Sequence, residues 1–172
     1  METTTTDRLT GLRLDVTTTL SLPLPHVWAL VSDVPAIGRW SPECLGARWL
    51  DGATGAEPGA RFTAQNRFGT ADDHIVLSAE GVLTEVVAPH TLAWTMVDDD
   101  GASASIWRYE LMAAEGGGTL VRHSFEHGPG MTGMRANAME DAASIDHRLG
   151  QLAGHMSATL AAMEQHGGQE VA

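Results

Sequence analysis

Pro25-His-Val-Trp-Ala-Leu-Val-Ser-Asp-Val-Pro-Ala-Ile-Gly-Arg-Trp-Ser-Pro42 is the stretch on which the fold turns. Pro25 suits the first turn of a helix, where its missing N–H would have had no partner. Val27, Leu30 and Val31 then recur at helical spacing to about Ser32. Asp33 reads as an N-cap and Pro35 opens a second short helix, which Trp40-Ser-Pro42 ends. Two short helices thus form a V. Immediately upstream, Leu12, Leu14, Val16, Thr18, Leu20 and Leu22 alternate with Arg13, Asp15, Thr17, Thr19 and Ser21, the period of a half-buried strand.

Downstream, six further strands are expected at about Leu45 to Leu50, Arg61 to Phe68, His74 to Val87, Thr91 to Val97, Ser103 to Met112 and Thr119 to His127. Turn residues separate them: Asp51-Gly52, Pro58-Gly59, Gly69, Pro89-His90, Asp98-Asp-Asp-Gly101 and Gly116-Gly-Gly118. Links this short favour an antiparallel meander, because parallel pairs need long crossovers. Ala142, Ile145, Leu149, Leu152, Met156, Leu160 and Met163 recur at steps of three or four and place one apolar stripe on a closing helix. That stripe has to cover the inner face of the sheet, and a cavity can form between them. The Gly- and Met-rich span from Gly128 to Asn137 reads as a loop, a plain connection or a flap over the cavity.

The fold class expected is therefore α+β: a curved seven-stranded antiparallel sheet around a long C-terminal helix, with two short helices after strand one. The 172 residues suit one domain, placed at 11–166 between flexible ends at 1–10 and 167–172. The net charge is -12, and all ten basic residues are arginines scattered without a cluster, which argues against nucleic acid or an anionic membrane surface. Cys44 is the only cysteine, so neither a disulfide framework nor a zinc cluster is expected. Met1 to Thr10 has a Thr run and no apolar core, unlike a signal peptide or an anchor, and a cytoplasmic protein without membrane insertion is expected.

Pro25-His-Val-Trp28, Ser32-Asp-Val-Pro35, Trp40-Ser-Pro-Glu43, Pro58-Gly-Ala-Arg-Phe62, Asn66-Arg67, Trp107-Arg-Tyr-Glu-Leu111 and Gly117-Gly-Thr119 occur in an order that resembles the START-like SRPBCC superfamily. Within it, the chain looks like the bacterial polyketide cyclase/dehydrase branch, from Leu12 to Met163. The resemblance implies a helix-grip architecture with a deep hydrophobic pocket. Its members include cyclases that close and dehydrate polyketide rings, carriers of lipids and hormones, and hydrolases, so the fold does not settle the function. Related bacterial members often open the long central strand with an aromatic residue. Here that stretch is Ala71-Asp-Asp-His-Ile75, which implies a more polar, acidic entrance.

Thr119, Val121, His123, Phe125 and His127 share one face of the last strand, and Val121 and Phe125 mark that face as the inner one. His123 is then expected on the pocket wall and His127 at its mouth, where imidazoles can move protons. Tyr109 adds a hydroxyl able to donate to an enolate oxygen. Trp94, Trp107, Phe125 and Met156 offer flat apolar surface for an aromatic ligand. Of Asn66 and Arg67 only one can point inward, and Asn66 continues the row of Phe62 and Ala64; Arg67 falls outside or at a rim. His74, beside Asp72 and Asp73, is a solvated turn or an acid/base group at the mouth. Glu43 is a rim carboxylate, catalytic only if buried.

No cofactor is implied. His123 and His127 stand roughly 13 Å apart at about 3.3 Å per residue, too far to share a metal ion. Three functions fit: an aromatase/cyclase-type enzyme closing or dehydrating a ring, a non-catalytic carrier of a hydrophobic or aromatic small molecule, and an interaction protein with a vestigial cavity. A homodimer is open to any of them.

Overall fold

Alternating strands joined by tight turns build one antiparallel sheet in the computed structural model, which describes residues 7–70 and 72–169. The chain runs β1 (Arg13–Leu20), α1 (Leu24–Ser32), a 3-10 turn (Val34–Arg39), β2 (Cys44–Trp49), β3 (Arg61–Gly69), β4 (His74–Val87), β5 (Thr91–Val97), β6 (Ser103–Ala113), β7 (Thr119–His127), α2 (Gly133–Glu140), α3 (Ser144–His166) and a last 3-10 turn (Gly167–Gln169). Spatial order is β1-β7-β6-β5-β4-β3-β2. This is the helix-grip fold expected, a curved sheet closed by α3.

Register decides which residues share the concave face, because partners in an antiparallel pair point the same way. Leu14 lies opposite Phe125, Phe125 opposite Trp107, Trp107 opposite Trp94, and Trp94 opposite Leu83. Val16, His123, Tyr109 and Leu92 form the next row. The convex face takes the charges. Arg108 pairs with Glu85 and Glu110, Arg122 with Asp15 and Glu110, and Arg61 with Asp51 and Glu80. Exposed pairs of this kind add little stability each, but they occupy Arg61, Arg108 and Arg122.

The expected strands stand within a residue or two of those observed. The span from Gly128 to Asn137 differs: its second half enters α2, and a clasp explains why. The Thr132 side chain caps the helix by accepting from the Arg135 backbone N–H, and Arg135 also bonds Gly128 O, Gly130 O and Asp7. Met134 is buried beneath it. The termini expected to be free lie partly outside the described residues. Within them Leu9 is buried with Phe125 and Met156, and Gly167 is buried against Leu30, its carbonyl bonded by His26.

Among the strands, α3 packs most closely on β1, and its Leu160 and Met163 are buried with Tyr109, Leu111 and Val121 of β6 and β7. Gly150 and Gly154 lie on its exposed side with open space where a Cβ would go. Gly150→Ala with Gly154→Ala is expected to stabilise the fold by about 1–2 kcal/mol, since each glycine costs about 0.5–1 kcal/mol in a helix interior. Urea unfolding of the double variant checks this.

Candidate ligand-binding site

Coverage of the concave face changes along the strands: Phe62, Leu83 and Leu92 are buried at one end, and exposure rises toward the β3–β4 hairpin. His123 on β7 and Tyr109 on β6 are 5% and 1% exposed, Trp107 and Trp94 are half-buried, and Leu77 and Ile75 on β4 are 50% and 61% exposed. Ile75 and Leu77 belong to this face because they pair with Phe68 and Asn66, four and two residues on from Ala64 along the same row. The result is a partly exposed apolar stretch of the concave face that leads from Ile75 and Leu77 toward Trp94 and Trp107. Its deep end is aromatic: Trp94 and Trp107 stack at 6.2 Å, Trp107 meets Phe125 edge-on at 5.0 Å, and His123 lies flat on Tyr109 at 4.0 Å.

At that deep end three polar atoms have no partner among the described residues: His123 Nδ1, His123 Nε2 and Tyr109 Oη. Buried groups of this kind are normally bonded, since leaving one unpaired costs about 1–3 kcal/mol. Burial pushes His123 down to about 3 and pushes the Tyr109 hydroxyl well above its ordinary value, so both are neutral at pH 7. A neutral imidazole offers one donor and one acceptor, and a neutral phenol offers a donor.

The other expected site residues divide. Asn66 lies on the concave face beside Leu77, and Arg67 on the other, its Nη2 donating to Pro42 O at 3.3 Å. Phe125 and Met156 are buried in one cluster with Leu152. His127, expected at the mouth as a proton carrier, is instead part of the clasp. Its Nδ1 donates to Gly128 O at 2.7 Å and its Nε2 accepts from the Thr132 hydroxyl at 2.7 Å, which leaves neither nitrogen for a ligand. His74, expected near the ligand, is exposed on the convex side, because Ile75 next to it takes the concave one. Glu43 is the surprise. Its side chain is mostly covered and holds two groups from α3, Arg148 at 2.5 Å and His155 at 3.0 Å. Spacing of seven puts those two on one flank of the helix, a signal available in the sequence but unpartnered there.

Two open surface grooves lie elsewhere, one of 380 Å³ beside Asp33, Arg39 and Leu45, the other of 440 Å³ between Trp28, Trp49 and Val86. Neither is lined by His123, Tyr109 or Trp107, and both are shallow.

The model of the family described as polyketide cyclase / dehydrase and lipid transport matches residues 12–157, the sheet and most of α3. The chain belongs to this family. Among solved members of the same fold, a Nitrosomonas europaea protein superposes with TM-score 0.62 at 17% identity, covering 90% of this chain and 92% of its own. The Polyketide_cyc-like protein of Corynebacterium glutamicum gives 0.57 at 22% identity, with 94% and 98% covered. The AHSA1-like protein of Aeromonas hydrophila gives 0.58 at 21% identity, with the same coverage. At these identities the likeness is one of fold. No curated protein matches the chain. This polyketide cyclase/dehydrase-family protein has the hydrophobic ligand-binding architecture of its family, and no helix among its described residues is long and apolar enough to cross a membrane.

Proposed function

We propose that the protein binds a flat, largely apolar small molecule on the concave face, against Trp94 and Trp107, and acts on it as a cyclase or dehydratase through His123 and Tyr109. The observation that carries this reading is the trio of unpartnered polar atoms in an aromatic wall, a costly arrangement that a ligand carbonyl or hydroxyl would satisfy. His123 accepts a proton from the carbon beside a ligand carbonyl while Tyr109 donates to the oxygen that becomes an enolate. A base whose pKa is about 3 is weak in isolation. The enolate forming next to it is the counter-charge that stabilises the imidazolium. Holding the chain in one folded conformation supplies the rest of the acceleration.

Two measurements test this. 9-Anthracenemethanol is expected to quench tryptophan fluorescence saturably, with affinity falling about tenfold or more in Trp107→Ala. A linear poly-β-ketone thioester is expected to close to an aromatic product faster with wild type than with His123→Gln, at binding affinities within a few-fold. Equal rates with both proteins, and equal to the rate without protein, would leave the second reading, a carrier without chemistry.

A further inference from the structure

The proposed binding face has one charged device at its edge. Glu43, between the 3-10 turn and β2, reaches across to α3, where Arg148 Nη2 donates to one carboxylate oxygen and His155 Nδ1 lies 3.0 Å from the other. Arg148 sits with its guanidinium carbon 5.6 Å from the centre of the Phe68 ring, on the same concave row as Ile75. The adjoining residues of α3, Leu149 and Leu152, pack in one cluster with Trp107 and Phe125. Arg148 therefore stands where the aromatic floor gives way to solvent. Its side chain is 23% exposed, and a single one of its N–H groups is bonded to Glu43.

The arginines on strands are placed differently. Arg13, Arg61, Arg108 and Arg122 face the convex side and are paired there with carboxylates, Arg48 faces the same side opposite Thr63, and Arg67 bonds a backbone carbonyl. Arg148 is the guanidinium that borders the binding face, held in place by stacking on Phe68 and by Glu43 behind it. A guanidinium fixed in that way keeps a fork of donors directed at a planar anion, and carboxylate is the group that fits it.

Resting on the ligand-binding reading above, we infer that the ligand is amphipathic: its flat apolar body lies on Trp94 and Trp107, and a carboxylate at its outer end is held by Arg148, with Glu43 as the positioning residue. The unpartnered His123 and Tyr109 then meet the end of the molecule that lies deepest, and the charge stays at the rim where water can solvate it in part. This orientation is what a proton-transfer site at the deep end requires, since it brings an uncharged carbonyl rather than the carboxylate to the imidazole.

The test compares 9-anthracenecarboxylate with 9-anthracenemethanol, the same ring system with and without the charge, by tryptophan quenching. Wild type is expected to bind the acid about tenfold more tightly than the alcohol, and Arg148→Met to erase that preference by weakening the acid alone. Arg148→Lys, which keeps charge but loses the fork, is expected to retain part of it. Glu43→Gln loosens the guanidinium that Glu43 positions and is expected to weaken the acid severalfold more than the alcohol. Equal affinities for acid and alcohol in wild type would overturn the inference while leaving the ligand-binding reading intact. So would an Arg148→Met variant that weakens both equally, the signature of a structural tie alone. If neither compound quenches, the ligand-binding reading falls and this inference falls with it.

Discussion

His123→Phe is expected to stabilise the protein, by about 1–3 kcal/mol at pH 7 and by about 2 kcal/mol more at pH 5. The first gain comes from deleting two buried nitrogens that have no partner, at a site where a phenyl ring can keep the stack on Tyr109. The second follows from proton linkage. The folded value of His123 is about 3, below the ordinary 6.5. As pH falls through 6.5 the unfolded chain takes up a proton that the native state refuses, so stability drops steadily between pH 6.5 and about 3. Each unit of that interval is worth about 1.4 kcal/mol, which gives about 2 kcal/mol at pH 5. Phenylalanine has nothing to titrate and flattens this part of the acid limb. Urea unfolding at pH 7 and pH 5 measures both gains. A destabilised variant with an unchanged acid limb would mean that the imidazole is already satisfied in the native state, and the argument for a ligand at His123 would lose its basis. A gain in stability accompanied by loss of ring closure is the pattern of a residue kept for chemistry at the expense of the fold.

Gly128→Ala should be the most damaging single-methyl change, at about 3 kcal/mol. A Cβ there would run into the backbone carbonyl of Ser103, which cannot swing aside as a side chain can. Gly128 also leads the chain out of β7: its N–H bonds Ala104 O, and its carbonyl accepts from His127 and Arg135. Displacing it therefore strains the β6–β7 pairing and loosens the clasp that holds α2. Gly133→Ala is the control, five residues on, with nothing near its missing Cβ. Thermal melts of the two variants should separate by about 6–12 °C, given about 2–4 °C per kcal/mol for a domain of this size. Equal melting temperatures would show that the β7 exit is free to move.

Much of this architecture was legible before any coordinates. β4, β5 and β7 have the expected boundaries because alternation with Gly, Pro and Asp punctuation is a local property. So is the apolar stripe of α3. The failures share a cause. α2 has a weak apolar stripe and exists through Thr132, His127 and Arg135, a clasp assembled from the end of β7 and the N-terminal turn. His127 looked like a proton carrier because alternation correctly puts it on the inner face, but alternation does not reveal that both its nitrogens are already bonded. Glu43 and its two partners are 105 and 112 residues apart in the chain, and nothing local joins them. His74 is the solvated group that its clustering with Asp72 and Asp73 allowed, and the parity of Ile75 puts it on the convex side, away from the ligand.

The strand order carries a consequence for how the chain folds. β2 through β6 each pair with the next strand in sequence, so β2 to β7 can zip together from hairpins. β1 alone pairs across the whole domain, Leu20 meeting Thr119. Closing a loop of roughly a hundred residues costs about 4 kcal/mol of chain entropy before any contact repays it. During synthesis, β1 is therefore the first strand to leave the ribosome and the last to find its place, and α3, which packs most closely on β1, can seat on its full bed only after that late arrival.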